Sequence, residues 1–359
     1  MALVTGCVGE EERDPGGDDG IDGRSDDSAD ESDDTIDDGG GSGDQSDDAT
    51  DDQSDDATDD ERKDDHESDP DRGNEPEPAR DAPYGPDGDW TPVFVENFDG
   101  GSLDTDVWSI GHWSGRNIPH DDGWEYTREE DVWVDDATDR LVLQLDHDER
   151  IYAGEEDPVT EAGERENSPY GWYSGAVTTD DTDGPGAKFS HRHGFWEAAI
   201  KFPAITDGVY PAFWMMSPGG VWPPEIDVVE LVSTHPDETW HNVHYATDED
   251  EPVGTHQDAT HRELHAEDVL EEWHVWGAHW IEDEEVRYYV DGEHVGTLDV
   301  GSGTDERYLD YGSEFIINFT AHILHGWAGD PYQHEDWPYT WEVAWVRVWD
   351  EEESAQYTV

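Results

Sequence analysis

The stretch Trp222-Pro-Pro-Glu-Ile-Asp-Val-Val-Glu-Leu231 sets three carboxylates, Glu225, Asp227 and Glu230, among Ile, Val and Leu. Pro223 and Pro224 cannot join a helix interior, whereas Ile226, Val228 and Val229 suit a pleated surface, so the run reads as a strand. In a regular strand Glu225 and Asp227 share a face, and Glu230, five positions beyond Glu225, points the other way. One bulge at Val228-Val229 returns it to the face of the other two. The glutamates then stand effectively four strand positions apart, roughly 13 Å between Cα atoms at about 3.3 Å per residue, and side chains leaning together close much of that gap. A helix would put them on nearly opposite sides, five residues at about 100° each.

Acids placed for solubility belong among polar neighbours, and these are interleaved with core-type residues. Two carboxyls about 5–5.5 Å apart, one a nucleophile and one an acid/base, are what retaining cleavage of a glycosidic bond requires. The shorter Asp227 between them could hold one glutamate's proton by hydrogen bonding and like-charge repulsion.

Glu225-Ile-Asp-Val-Val-Glu230 resembles the E-x-D-x-x-E signature of family 16 of the glycoside hydrolases, the laminarinase, lichenase, agarase and carrageenase group. Upstream, His193-Gly-Phe-Trp-Glu-Ala-Ala-Ile-Lys-Phe-Pro203 and Gly208-Val-Tyr-Pro-Ala-Phe-Trp-Met-Met216 are similar to the paired strands that lead into the family's catalytic one. Downstream, Trp273–Trp280, Val286–Gly292 and Trp345–Trp349 match its closing strands, and Phe94–Gly100 with Ser102-Leu-Asp104 and Trp108 its opening one. The resemblance implies an all-β fold, a β-jelly-roll sandwich with a concave substrate cleft. It makes Glu225 the nucleophile, Glu230 the acid/base and Asp227 the residue that orients them, with a β-linked polysaccharide as substrate.

The composition adds bounds. Ninety-six acidic residues oppose 18 basic ones, a formal charge of −78. Such a chain repels itself at moderate ionic strength, which points to a salt-loving host, and it repels nucleic acid and anionic membrane surfaces. Activity and folded stability are expected to fall together between molar salt, where the screening length is about 3 Å, and about 0.1 M, where it is about 10 Å. Melting curves and turnover at the two concentrations check this; equal stability at both would remove the halophilic reading.

The acids are unevenly placed. All 18 tryptophans lie from Trp90 onward, and the preceding residues repeat Ser-Asp-Asp-Ala-Thr-Asp-Asp at Ser46–Asp52 and Ser54–Asp60. Residues 1–89 therefore read as a disordered acidic linker, which lacks the apolar surface to offset its ordering entropy, and 90–352 as one catalytic domain. Leu3-Val-Thr-Gly-Cys7 resembles a lipoprotein signal-peptidase box, with Cys7, the sole cysteine, as the lipidation site, although the basic and long apolar parts of a signal peptide are missing. A secreted or lipid-anchored monomer is the expectation.

Strand-like runs dominate the domain, at Val93–Val95, Leu141–Leu145, Gly194–Lys201, Ile226–Val232, Trp273–Trp280, Val286–Val290, Phe315–Phe319 and Glu342–Trp349. Asp291-Gly292 reads as a hairpin turn, and Glu263–Glu272 is the one helical patch. Trp276, Trp280, Trp345 and Trp349 alternate along strands and are expected as core or second-face residues rather than ligands. Flat apolar rings suit the C–H faces of sugars, which makes Trp214, Trp222, Trp124 and Trp327 candidate substrate-binding residues. His241 and His244 fall on opposite strand faces, against a two-histidine metal site, and His244 matches a cleft histidine of the family.

Three departures from the family stand out. The opening strand reads Glu96-Asn97-Phe98 instead of Asp-Glu-Phe, and Asn318–Leu324 replaces a small Gly-Gly turn. Ala344 stands where many members carry a calcium-ligating aspartate, so the family's structural calcium is in doubt; no cofactor is expected to carry the chemistry. A β-1,3- or β-1,3-1,4-glucan is the first substrate expected, a galactan of the agarose or carrageenan type the second. A non-catalytic polysaccharide-binding surface lipoprotein is the rival class, and it would explain the tail without needing the carboxylate trio.

Overall fold

The computed structural model describes residues 74–78, 81–113, 115–116, 125–147, 171–204, 207–247, 256–265, 269–282, 285–300, 309, 314–323, 328–330 and 337–351. Cys7, Trp124 and Trp327 lie outside them. Among the described residues the chain forms β1 (Trp90–Glu96), β2 (Ser109–Ile110), β3 (Glu125–Thr127), β4 (Val132–Asp135), β5 (Arg140–His147), β6 (Trp172–Ser174), β7 (Val177–Thr178), β8 (Gly194–Lys201) and β9 (Val209–Met216). It continues with β10 (Glu225–Leu231), β11 (Glu238–Ala246), β12 (His256–Leu264), β13 (Trp273–Trp280), β14 (Glu285–Val290), β15 (Glu293–Asp299), β16 (Ile316–Ile323) and β17 (Tyr339–Glu351).

These strands make two sheets packed as the expected jelly-roll sandwich. One has ten strands in the order β15-β14-β13-β8-β17-β5-β6-β3, with β1 on β17 and β4 on β5; the other has seven, β12-β11-β10-β9-β16-β7-β2. Alternation divides each central strand between the sandwich interior and an outer face. Trp196, Ala198, Ile200, Trp276 and Trp280 from the larger sheet meet Phe213, Met215, Ile226, Val243, Ile317 and Phe319 from the smaller in one buried core. Trp276 and Trp280 sit in that core, Trp345 and Trp349 in separate clusters on the other face of the larger sheet, and all four are at most 1% exposed. Asp291 and Gly292 close the β14–β15 hairpin with positive φ at both positions, 50° and 82°, the pairing that matches strand twist.

Two expectations are corrected. Glu263–Glu272 is not helical in its described part: Glu263 and Leu264 end β12, paired with Thr239 and Glu238 of β11, and pairing with an available sheet edge overrides the weak local periodicity. The domain also begins before Trp90. Arg140 Nε bonds Glu75 Oε2 at 2.8 Å, Trp345 Nε1 donates to Pro76 O at 2.9 Å, and Tyr84 stacks on Trp345 at 5.7 Å between ring centroids. Residues from about Asn74 thus cover β17, because Trp345 on the outer face of the larger sheet needs an apolar and hydrogen-bonding cover.

Candidate active site

The outer face of the seven-stranded sheet carries the carboxylates, and a bulge puts them there. Along β10, Asp227 pairs with Asn242 and Glu230 with Trp240, so Val228 and Val229 together oppose His241; against β9, Asp227 pairs with Trp214 and Val229 with Phe213, leaving Val228 as the extra residue. Both valines point into the core and are fully buried. Glu225, Asp227 and Glu230 share the outer face, at 9%, 2% and 4% exposure. His241, on the interior face, stabilises the irregularity: its Nδ1 lies 2.6 Å from the Val228 carbonyl and its Nε2 3.1 Å from Thr239 Oγ1. Burial pushes this imidazole down to about 3, so it is neutral, with its one proton on Nδ1 donated to the bulge carbonyl and Nε2 accepting from the threonine hydroxyl. His241 and His244 therefore do fall on opposite faces.

Around the trio, both glutamates accept from fixed donors. Trp222 Nε1 donates to Glu225 Oε2 at 3.1 Å, and Glu225 is hydrogen-bonded to Asp227. Tyr210 Oη donates to Glu230 Oε1 at 2.5 Å, and Asn242 Nδ2 donates to Glu230 Oε2. His244 Nε2 lies 3.4 Å from Glu225 Oε1 and 3.3 Å from Asp227 Oδ2. Desolvation, then repulsion from Asp227, raises Glu225 well above the ordinary carboxyl range; burial raises Asp227 to about 7, and burial with the Asp227 charge raises Glu230 to about 8. Three acids buried on one face and feeling one another's charge do not all ionise together. The Trp222 indole N–H works against the rise of Glu225, as the Tyr210 hydroxyl works against that of Glu230.

Of the sequence candidates, Glu225, Asp227, Glu230, Trp222, His244 and Trp214 all meet here, Trp214 in register with Asp227 on β9. Sequence reasoning did not single out Tyr210, Asn242, Glu125 or His322. Asn242 had a signal, since it lies two residues before His244 and so on the same face. Glu225, Asp227 and His244 have donor atoms within 4.8 Å of one another, the one His/carboxylate grouping among the described residues that could hold a cation. At the family's calcium position Ala344 supplies no side-chain ligand, and the Arg347 guanidinium, lining the same hollow as Glu75, Asp99 and Asp139, donates to Glu96 O at 2.7 Å and to Asn97 Oδ1.

Comparison with known proteins gives the family. The sequence model for "Glycosyl hydrolases family 16" matches residues 125–345. An endo-1,3-1,4-beta-glycanase, EglC, of Rhizobium meliloti is 31% identical over 175 residues, 48% of this chain and 32% of that protein. A kappa-carrageenase of Pseudoalteromonas carrageenovora is 33% identical over 125 residues, 30% of this chain and 31% of that one. The chain thus spans about a third of the length of these curated relatives. The catalytic domain of an endo-1,3-beta-glucanase (laminarinase) from Thermotoga petrophila shares the fold, with TM-score 0.57 and 23% identity over 74% of this chain and all of that one.

Proposed function

The chain belongs to family 16 of the glycosyl hydrolases, and from that premise we propose that it is a retaining endo-β-glycanase acting on a β-1,3- or mixed β-1,3-1,4-glucan. The observation that carries the reading is the bulge at Val228, which brings Glu225 and Glu230 to one buried face beside Asp227. Glu225 attacks the anomeric carbon while Glu230, still protonated at neutral pH, gives its proton to the departing glycosidic oxygen. The same Glu230, now a carboxylate, takes a proton from the water that releases the glycosyl-enzyme. Asp227 shares a hydrogen bond with Glu225, and its charge raises the proton affinity of both glutamates. Trp222 serves twice, tying its N–H to the nucleophile and presenting an indole beside it. Trp214, and by sequence Trp124 and Trp327, are the proposed sugar platforms.

A galactan reading has one observation in its favour: on the site face, the Arg262 guanidinium lies 3.8 Å over the Trp240 ring, and Trp240 is in register with Glu230. One arginine is few for a sulfated polymer, which is why the neutral glucan ranks first. Reducing-sugar release in high salt from laminarin, lichenan, agarose and carrageenan tests the choice. Release from laminarin or lichenan is expected; release from agarose or carrageenan alone would move the substrate, and release from none would remove the enzyme reading in favour of a binding module.

A further inference from the structure

Near the three carboxylates lies a further buried acid, Glu125 on β3, which belongs to the other sheet. Its Oε1 is 2.9 Å from His322 Nδ1, and its Oε2 accepts from the Ile323 backbone N–H at 3.1 Å. A carboxylate accepting a backbone N–H on one oxygen is set to accept the imidazole N–H on the other. His322 Nε2 is 3.2 Å from Thr320 Oγ1, which accepts Trp214 Nε1–H at 3.0 Å. The donors and acceptors close as a line from Trp214 to Thr320, then His322, then Glu125. All four are buried, at 8%, 0%, 7% and 4% exposure.

The line pins the imidazole at both nitrogens, and the pinned ring has a neighbour. His322 is the cross-strand partner of Tyr210, with ring centroids 5.0 Å apart and planes inclined 34°. Tyr210 points its hydroxyl to Glu230, past Ala212, the small residue that faces Glu230 across β9 and β10. A phenol packed on a fixed imidazole is held in one rotamer, and that rotamer donates to Glu230.

We propose that Glu125 and His322 are positioning residues that hold Tyr210 against Glu230 and thereby govern proton delivery to the leaving group. The inference rests on Glu230 being the acid/base. Neither residue touches substrate; the pair acts through the tyrosine. Its signature is therefore a dependence on the leaving group, since protonation matters for a sugar alcohol and hardly for a dinitrophenol. A residue that merely supports the fold would slow all substrates alike.

The test measures kcat/KM over a series of aryl glycosides of falling leaving-group acidity, plus the polysaccharide, for Glu125→Gln, His322→Phe, His322→Gln and Glu230→Ala. For His322→Phe we expect about a hundredfold loss on the poorest leaving group, the scale of a misplaced catalytic contact, and little change on the dinitrophenyl glycoside. Glu125→Gln should show the same steepening to a smaller degree, and His322→Gln, whose amide can still donate to Glu125, should recover part of the loss. Equal loss across the series in both Glu125→Gln and His322→Phe, or no loss, would overturn the proposal. If His322→Phe does not fold, Glu125→Gln, which keeps the ring, decides by the same slope. Glu230→Ala separates the two readings: a steep series there with flat ones for the pair sinks the positioning role alone, whereas a flat series for Glu230→Ala sinks the acid/base assignment with it.

Discussion

Glu225→Ala should lose turnover on every glycoside, by on the order of 10⁵-fold or more, because no covalent intermediate can form without the nucleophile. Glu230→Ala should behave differently. On the polysaccharide it should lose about 10²–10⁴-fold, the usual contribution of a positioned proton donor, yet stay active on an aryl glycoside whose leaving group needs no proton. Azide should accelerate that variant and yield a β-glycosyl azide, since the small anion enters in the second of two inversions, where base-activated water would have attacked. Product anomericity by NMR settles the assignment. An α-azide from Glu230→Ala would mean that azide had replaced the nucleophile and that the roles of the two glutamates are exchanged.

A chain that starts at Pro86 should be markedly less stable than one that starts at Asn74. The residues removed include Glu75, which with Arg140 forms an ion pair whose side chains are only 8% and 6% exposed. They include Tyr84, which stacks on Trp345 and whose backbone N–H donates to Glu197 Oε2 at 3.0 Å. Arg140 would keep Glu342 at 3.0 Å, but breaking a buried pair costs about 3–5 kcal/mol. At about 2–4 °C per kcal/mol for a domain of this size, the melting temperature should drop by roughly 10 °C. Calorimetry of the two chains in molar salt is the measurement, and equal melting temperatures would show that residues 74–85 are dispensable cover.

That boundary was illegible in the sequence for a plain reason. Glu75, Pro76 and Tyr84 sit in a run of acids, prolines and glycines, and what orders them is Arg140 and Trp345, more than sixty and two hundred residues away. The core alternation, by contrast, is local, so β8, β10, β13 and β17 could be read from their own residues. The carboxylate face was legible because the bulge leaves a mark in the spacing of the acids. Glu125 and His322 left none: a lone glutamate in Trp-Glu-Tyr-Thr and a histidine ending a strand become a pair only when β3 and β16, in different sheets, are brought together. Position in sequence does not encode contacts between sheets.

The extra residue at Val228 also fixes which changes in chain length the site can absorb. Removing one of Val228 and Val229 would give Glu-x-Asp-x-Glu, and a plain strand with that spacing already shows all three acids on one side. A one-residue deletion, usually ruinous inside a sheet, would here trade the bulge for regular pairing and keep the parity of the carboxylates. An insertion between Glu225 and Asp227 would break that parity and turn Glu225 toward the valines. Chemistry on this face is thus tied to counting modulo two, and alignments of such sites should place their gap between the aspartate and the second glutamate.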